Sequence, residues 1–201
     1  MAIKFPEPPK ASVAALNRTL RILALAPEAA RVMPEKFGIA FEGGAPPSLP
    51  HQVYSLGLTD LLEGGGLKDA QLVSWRYFVP SSSPDVASAE VNVDASGGHS
   101  FAQLNTGPFN ESTLTAIASL TSDSRVAAKT YDMCLLRIPA LYVTAIWLKS
   151  GQPKEDILVP VAPVIPGLVA GELYQAAEFE DRVRGAARDK KPSPDDLSAS
   201  T

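Results

Sequence analysis

The richest apolar stretch of the sequence, from Tyr131 to Leu148, constrains the fold more than any other feature. Pro139 divides this stretch, and because proline has no N–H to donate to a sheet ladder, we expect one strand at about 131–138 and another at about 141–149. Apolar residues fall on both faces of the second strand, which is typical of a strand covered on both sides. The pattern therefore predicts two neighbouring strands at the centre of a sheet.

Alternating or β-branched stretches elsewhere predict further strands. In one of them Ser88, Glu90 and Asn92 fall on the face opposite to the apolar residues, so we expect a half-exposed strand with these three side chains toward solvent. Another contains Pro160 and Pro163, which is typical of an edge strand. The predicted strands cover about 72–79, 86–93, 101–104 and 157–164.

Helical periodicity appears near both ends of the chain and once in its middle. Pro27 ends the first helix, and Asn110 is the expected N-cap of the second, with Glu111 in the first turn where the helix dipole favours negative charge. The predicted helices cover about 11–26, 110–122 and 169–188.

This order of elements predicts an α+β fold with a single, mostly antiparallel sheet of about five or six strands packed against helices, with N- and C-terminal helices. The predicted organisation is an extended N-terminal segment at 1–10, a single α+β domain at 11–189 and a disordered tail at 190–201. The Gly- and Pro-rich region at 42–70 could instead form a separate subdomain. We prefer one domain, because neither side of that region has a convincing core of its own.

Charge and composition argue against several classes of protein. The formal net charge is −4 and no long basic stretch occurs, so we expect no nucleic-acid partner. No segment approaches the roughly 20 apolar residues that span a bilayer, and the N-terminal stretch lacks the apolar core of a signal peptide. We therefore expect a cytoplasmic protein with no membrane partner.

The residues that usually carry catalysis are few. His51 and His99 are the two candidate bases, and no nucleophile-elbow pattern accompanies either of them. Cys134 lies in a predicted core strand, where an unpaired cysteine behaves as a small apolar residue. Two histidines and one cysteine cannot supply the usual metal-ligand set, and the glycines at 64–66 lack the Lys-Ser/Thr of a P-loop. The sequence predicts no catalytic residue and no metal, and favours a protein that is not an enzyme.

The string from Ser96 to Phe101 is similar to the Gly-Gly-His-Ser segment of flavin-dependent oxidases of the berberine-bridge type, whose histidine can carry covalent flavin. The resemblance covers about six residues, and Asp94 and Ala95 stand where those enzymes carry an arginine. We interpret the string as a hairpin turn with an exposed His99, and we expect no cofactor.

Two functional hypotheses follow. The first is a non-catalytic protein–protein interaction or structural protein that binds another protein or associates with itself. The alternative is a small-molecule-binding protein or enzyme with a pocket between sheet and helices. The side chains that could line such a pocket or interface are Trp75, Tyr77, Glu90, His99, Tyr142 and Trp147.

Overall fold

A computed structural model describes residues 2–25, 47–79 and 86–190 of the 201-residue chain. The predicted tail at 190–201 lies outside the described residues except for Lys190. The strands are β1 Ile3–Lys4, β2 Ser48–Ser55, β3 Gln71–Val79, β4 Ala87–Val93, β5 His99–Thr106, β6 Tyr131–Ile138, β7 Val143–Lys149, β8 Ile157–Pro160 and β9 Tyr174–Gln175. The α-helices are α1 Lys10–Leu25, α2 Leu58–Leu62, α3 Pro108–Thr121, α4 Ser124–Ala127 and α5 Ala176–Asp189. Short 3₁₀ turns cover Leu67–Asp69, Pro139–Leu141 and Pro153–Glu155.

The fold is α+β with a large sheet, as the sequence predicts, but the prediction of five or six strands is wrong because the sheet has nine. Strands β1 and β9 are two residues long, too short to show a periodicity. Strand β2 contains Pro50, which weakens its strand signal. The sequence also predicts N- and C-terminal helices. Helices α1 and α5 lie toward the two ends of the chain, but no terminal helix pair is shown among the described residues.

Three local predictions are also corrected. The strand expected at 157–164 ends at Pro160 and pairs with β7 on one side and β9 on the other, so it is not an edge. The last helix begins at Ala176 rather than near 169. Asn110 does not cap its helix, because α3 begins at Pro108, a residue well suited to the first helical turn.

The chain divides into two compact units whose boundaries fall after Phe5, Gln52, Leu72 and Ser112. The first unit is built from three separate stretches of sequence and the second from two.

In the first unit the strand order is β6-β7-β8-β9, all antiparallel, with β1 parallel to β6. The predicted strands at 131–138 and 141–149 are confirmed as β6 and β7, with Cys134 directly opposite Trp147. Helix α5 contributes Phe179 and Val183 to the core of this unit, and neither has any exposed surface. Both faces of β7 are largely buried, as its composition predicts.

In the second unit the strand order is β5-β4-β3, also antiparallel. Leu16 and Leu20 of α1 pack with Trp75 and Tyr77 of β3 in a second apolar core. The ladder between β4 and β5 contains a bulge, because Val91 pairs with Phe101 and Glu90 with Gln103, so that Ala102 is an extra residue. Because of the bulge, Leu104 lies on the same face of the sheet as Phe101, and both side chains pack against the core.

Candidate interaction surfaces

The residues singled out from the sequence lie in both units and do not converge on one site. Trp75 and Tyr77 belong to the packed core beneath α1, where Tyr77 makes a 2.7 Å hydrogen bond to Ser12. Glu90 lies on the opposite face of the sheet, because it is the register partner of Arg76. His99 begins β5 and is half-buried, so the prediction of an exposed His99 is wrong. In the other unit, Trp147 is buried in the core and Tyr142 is 82% exposed.

The expectation that Ser88 and Glu90 face solvent is wrong. Both are buried, and Arg76 Nε donates to Glu90 Oε1 at 2.7 Å, with Arg76 Nη2 donating to the same oxygen. The Arg76 guanidinium also lies 5.1 Å from the ring centre of Phe109, at the start of α3. The polar face of this sheet is therefore covered at Ser88 and Glu90, where Arg76 and Glu90 form a buried ion pair, whereas Asn92 on the same face is exposed as predicted.

Asn110 holds this covered face together. Its side-chain nitrogen donates to the carbonyl oxygens of Val86 and Asn105, each at 3.0 Å, and its oxygen accepts from Ser88 Oγ at 2.9 Å. All of these partners belong to the β4–β5 hairpin or the residue before it. The Asn110 side chain therefore links α3 to strands β4 and β5 and does not cap the helix, although its place in the sequence predicts a cap.

The Gly-Gly-His string forms the predicted hairpin turn between β4 and β5. Asp94 Oδ1 accepts hydrogen bonds from the Ser96 backbone at 2.8 Å, the Ser96 hydroxyl at 2.6 Å and the Gly98 backbone at 2.8 Å. The Ser96 hydroxyl is the largest cause of the lowered pKa of Asp94, and the backbone donors add to it. The carboxylate therefore organises the turn.

Cys134 is fully buried in β6, and burial raises the pKa of its thiol to about 12. The thiol stays protonated at neutral pH and is a poor nucleophile. Opposite it, Trp147 Nε1 donates to the buried carboxylate of Asp156 at 2.9 Å, and Asp156 also accepts from the Ser150 backbone at 2.8 Å. These contacts fix the β7–β8 connection.

The turn that contains the glycines at 64–66 is hydrogen-bonded to α5. The Leu67 N–H donates to Glu180 Oε1 at 2.7 Å, and Arg184 donates to both the Gly65 carbonyl oxygen at 3.1 Å and Glu180 Oε2 at 2.9 Å. A Cβ on Gly65 would lie 2.6 Å from the Asp60 carbonyl oxygen. The run of glycines is thus a turn held by α5. The sequence analysis identified the glycines but not their contacts with Glu180 and Arg184.

Strand β5 forms an open edge. It pairs with β4 on one side, and no strand of the described residues pairs with its other side. Its eight residues include no Lys, Arg, Asp, Glu or Pro, and Ser100, Ala102 and Gln103 are exposed. Natural edge strands usually carry charges or proline that discourage pairing with another chain. Apart from the bulge at Ala102, β5 has none of these protections.

A cleft of about 510 Å³ lies in the first unit between the Pro139–Leu141 turn and α5. Its walls are mainly apolar, with charged side chains at the rim. They comprise Ala140, Leu141, Tyr142, Ile165, Pro166, Arg182, Gly185, Ala186, Asp189 and Lys190. Lys190 Nζ donates to the Ala140 carbonyl oxygen and lies 5.6 Å from the ring centre of Tyr142.

A second cleft of about 440 Å³ in the same unit has a rim of mixed charge. Arg125 pairs with Asp123 and Lys129 pairs with Glu155, each at 2.7 Å. Two of the three lining cations are thus paired with carboxylates, and the third is Lys154.

Across residues 2–25, 47–79 and 86–190, no group of three or more His, Cys, Asp or Glu side chains is placed to hold a metal ion. In the same part of the chain, no helix is both long and apolar enough to cross a membrane. No family model matches the chain, and neither curated proteins nor solved structures gave a match.

Proposed function

We propose that this chain is a non-catalytic interaction protein that associates with itself by pairing the β5 edges of two copies. The observation that carries the proposal is the open, uncharged, eight-residue edge of β5. Unpaired backbone N–H and C=O groups along such an edge form hydrogen bonds readily with an added strand.

A second copy is the partner that this edge fits best. A two-fold axis through β5 would pair the strand with itself in antiparallel orientation, so that one surface serves both copies. Because β5 carries no Lys, Arg, Asp or Glu, no like charges would meet across that axis. The bulge at Ala102 shortens the regular ladder, so we expect reversible association of moderate affinity.

The alternative, a small-molecule pocket between sheet and helices, has less support. Trp75 and Tyr77 lie in a filled core, and Glu90 on the other face is engaged by Arg76. Cys134 is buried with a raised thiol pKa. These placements favour a protein that binds through its surface.

Sedimentation equilibrium tests the proposal. At about 100 µM we expect the purified full chain to have twice its 21.2 kDa mass, with dissociation on dilution to about 1 µM. Ala102→Lys places a charge on the exposed edge of each copy, and we expect it to give monomers at both concentrations.

Ala177→Lys is the matched control, because Ala177 is an exposed alanine on α5. It should leave the dimer intact, and circular dichroism should show both variants folded. A monomeric wild-type chain at the higher concentration, or a dimer unaffected by Ala102→Lys, would rule out pairing through β5.

A further inference from the structure

We propose that the outer face of α1, which carries Lys10, Arg18 and Arg21, binds an acidic segment of a partner protein. In this arrangement carboxylates of the segment lie against the two arginines, and an apolar side chain of the segment lies against Ile22. We call Lys10, Arg18 and Arg21 the cationic face of α1. The inference goes beyond self-association, because it rests on the surface of α1 and not on the edge of β5.

The three cations of α1 lie on one side of the helix. With 3.6 residues per turn, Lys10, Arg18 and Arg21 fall within a sector of about 80° around the helix axis. Leu16 and Leu20 lie outside this sector and pack into the core of the unit. All three cations are exposed. The cationic face is therefore directed away from the core.

No acid neutralises the cationic face. Helix α1 contains no Asp or Glu, and Glu7, the acidic residue that precedes it, is exposed. Within residues 2–25, 47–79 and 86–190, no residue forms an ion pair with any of the three cations. Helix α5 is different, because Arg182 pairs with Glu178 and Arg184 pairs with Glu180, each one turn away. The charges of the cationic face are therefore available to a ligand from outside.

The positions of these cations are unfavourable for the helix itself. Lys10 is the first residue of α1, where the helix dipole favours an acid, and the first turn contains no acid. Arg18 and Arg21 are neighbours at i and i+3, and like charges one turn apart repel each other. Exposed cations that weaken their own helix and have no partner in the described part of the chain are explained by an anionic ligand.

The surroundings of the face indicate a short protein segment as that ligand. From Lys10 to Arg21 the face extends about 17 Å along the helix axis. The planar guanidinium groups of Arg18 and Arg21 suit carboxylates, which they bind through two parallel hydrogen bonds. Ile22 is 59% exposed and follows Arg18 by one turn, so it adds an apolar contact to the same surface.

The charge of the whole chain favours this ligand over a polyanionic surface. Binding to a nucleic acid or to an anionic membrane depends on the summed positive charge that the protein presents. The formal net charge here is −4, so an extended polyanion is repelled. A short acidic segment meets only the cationic face.

Chemical-shift mapping on the isotope-labelled full chain tests the inference with three synthetic peptides. Their central residues are Glu-Glu-Leu-Glu-Glu, Gln-Gln-Leu-Gln-Gln and Glu-Glu-Ser-Glu-Glu, each flanked by serines and blocked at both ends. We expect the first peptide to shift amides at 10–22. The glutamine peptide should bind about tenfold more weakly or less, and the serine peptide about threefold more weakly.

Charge variants separate binding from folding. Arg18→Gln combined with Arg21→Gln should weaken the acidic peptide about tenfold or more, while the thermal midpoint stays the same or rises because two like charges no longer repel. The matched control is Lys154→Gln combined with Arg188→Gln, which removes two exposed cations from other elements and changes the net charge equally. It should leave binding unchanged. Arg18→Glu combined with Arg21→Glu should instead bind a Lys-Lys-Leu-Lys-Lys peptide.

The response to the acidic peptide should persist in the Ala102→Lys variant, so self-association and peptide binding can fail separately. Equal binding of the glutamine or serine peptide, shifts confined to other surfaces, or no shifts from any peptide at millimolar concentration would overturn the inference. Retained binding after both arginines are replaced by glutamine would overturn it as well. Larger shifts of the same amides by phosphatidylserine vesicles or by a DNA duplex would overturn it in favour of a phosphate-bearing partner.

Discussion

Arg76 and Glu90 face each other across β3 and β4 with 2% and 3% of their surfaces exposed. Removing two charges from water is costly, and their attraction and hydrogen bonds offset much of that cost only while both are present. Gln103 Nε2, 3.4 Å from the second carboxylate oxygen, adds a weak contact on the neighbouring strand. The pair is therefore sensitive to loss of either member.

We expect Glu90→Gln to lower the free energy of unfolding by about 3–5 kcal/mol, because it leaves the Arg76 charge buried beside a neutral partner. The double variant Arg76→Met with Glu90→Leu should cost less than either single charge removal, since no buried charge remains. Urea denaturation of the wild type, Arg76→Met, Glu90→Leu and the double variant measures this cycle. A double variant less stable than both single variants would show that the pair itself is a net source of stability.

Side-chain alternation correctly assigned Glu90 to the face opposite Ala89 and Val91, but it could not show what covers that face. A polar face of a strand is ordinarily solvated, and this inference fails where a charge of opposite sign is the register partner. The informative signal was Arg76 within an aromatic stretch of β3, facing a carboxylate on the next strand. Tyr142 was among the candidate residues, but its place beside Gly185 was inaccessible from sequence, because the cleft they share joins residues more than 40 positions apart.

At the scale of elements, the turn at 64–66 and helix α5 form one unit of packing. Each glycine is required for a different reason. Gly64 has a φ of +87°, Gly65 approaches the Asp60 carbonyl oxygen, and a Cβ on Gly66 would overlap the Glu180 carboxylate. That carboxylate is held by the Leu67 N–H and by Arg184, so it cannot move aside without losing hydrogen bonds.

Gly66→Ala should therefore lower the free energy of unfolding by about 1–3 kcal/mol, and Glu180→Ala by a similar amount, because either change leaves the Leu67 N–H without its acceptor. The two losses should not add, since the clash disappears when Glu180 is truncated. Thermal unfolding of both single variants and the double variant measures this coupling. Fully additive losses would contradict the contact between Gly66 and Glu180.

The elements themselves were predictable to the extent that they are long and regular. Strands β3, β4, β6 and β7 and helix α1 follow clear periodicities, and their bounds agree with the predicted ones within about two residues. Strands β1 and β9 are too short to carry a pattern, and their existence depends on partners distant in sequence. The bulge at Ala102 had a trace in the sequence, because Phe101 and Leu104 share a face although three positions separate them.

At the scale of the whole molecule, each unit contains one of the two tryptophans. Trp75 lies in the core of the second unit and Trp147 in the core of the first, and both are almost completely buried. Fluorescence of Trp75→Phe and Trp147→Phe variants therefore reports the unfolding of one unit at a time.

We expect the two fluorescence transitions in urea to coincide with each other and with the loss of circular dichroism. The chain passes between the units four times, so ordering one unit fixes the ends of segments that belong to the other. This is the outcome that the single-domain prediction requires. For each variant, the urea midpoint of its fluorescence is compared with the urea midpoint of its own circular dichroism. This removes the effect of the substitution on overall stability. Separate midpoints would instead establish two independently stable domains.

The interleaved path of the chain also bears on the history of its gene. A domain encoded by one uninterrupted stretch of DNA can be copied, fused to another protein or deleted in a single recombination event. Neither unit here is encoded in that way, because the first needs three separated stretches and the second needs two. We therefore expect related proteins to contain both units or neither.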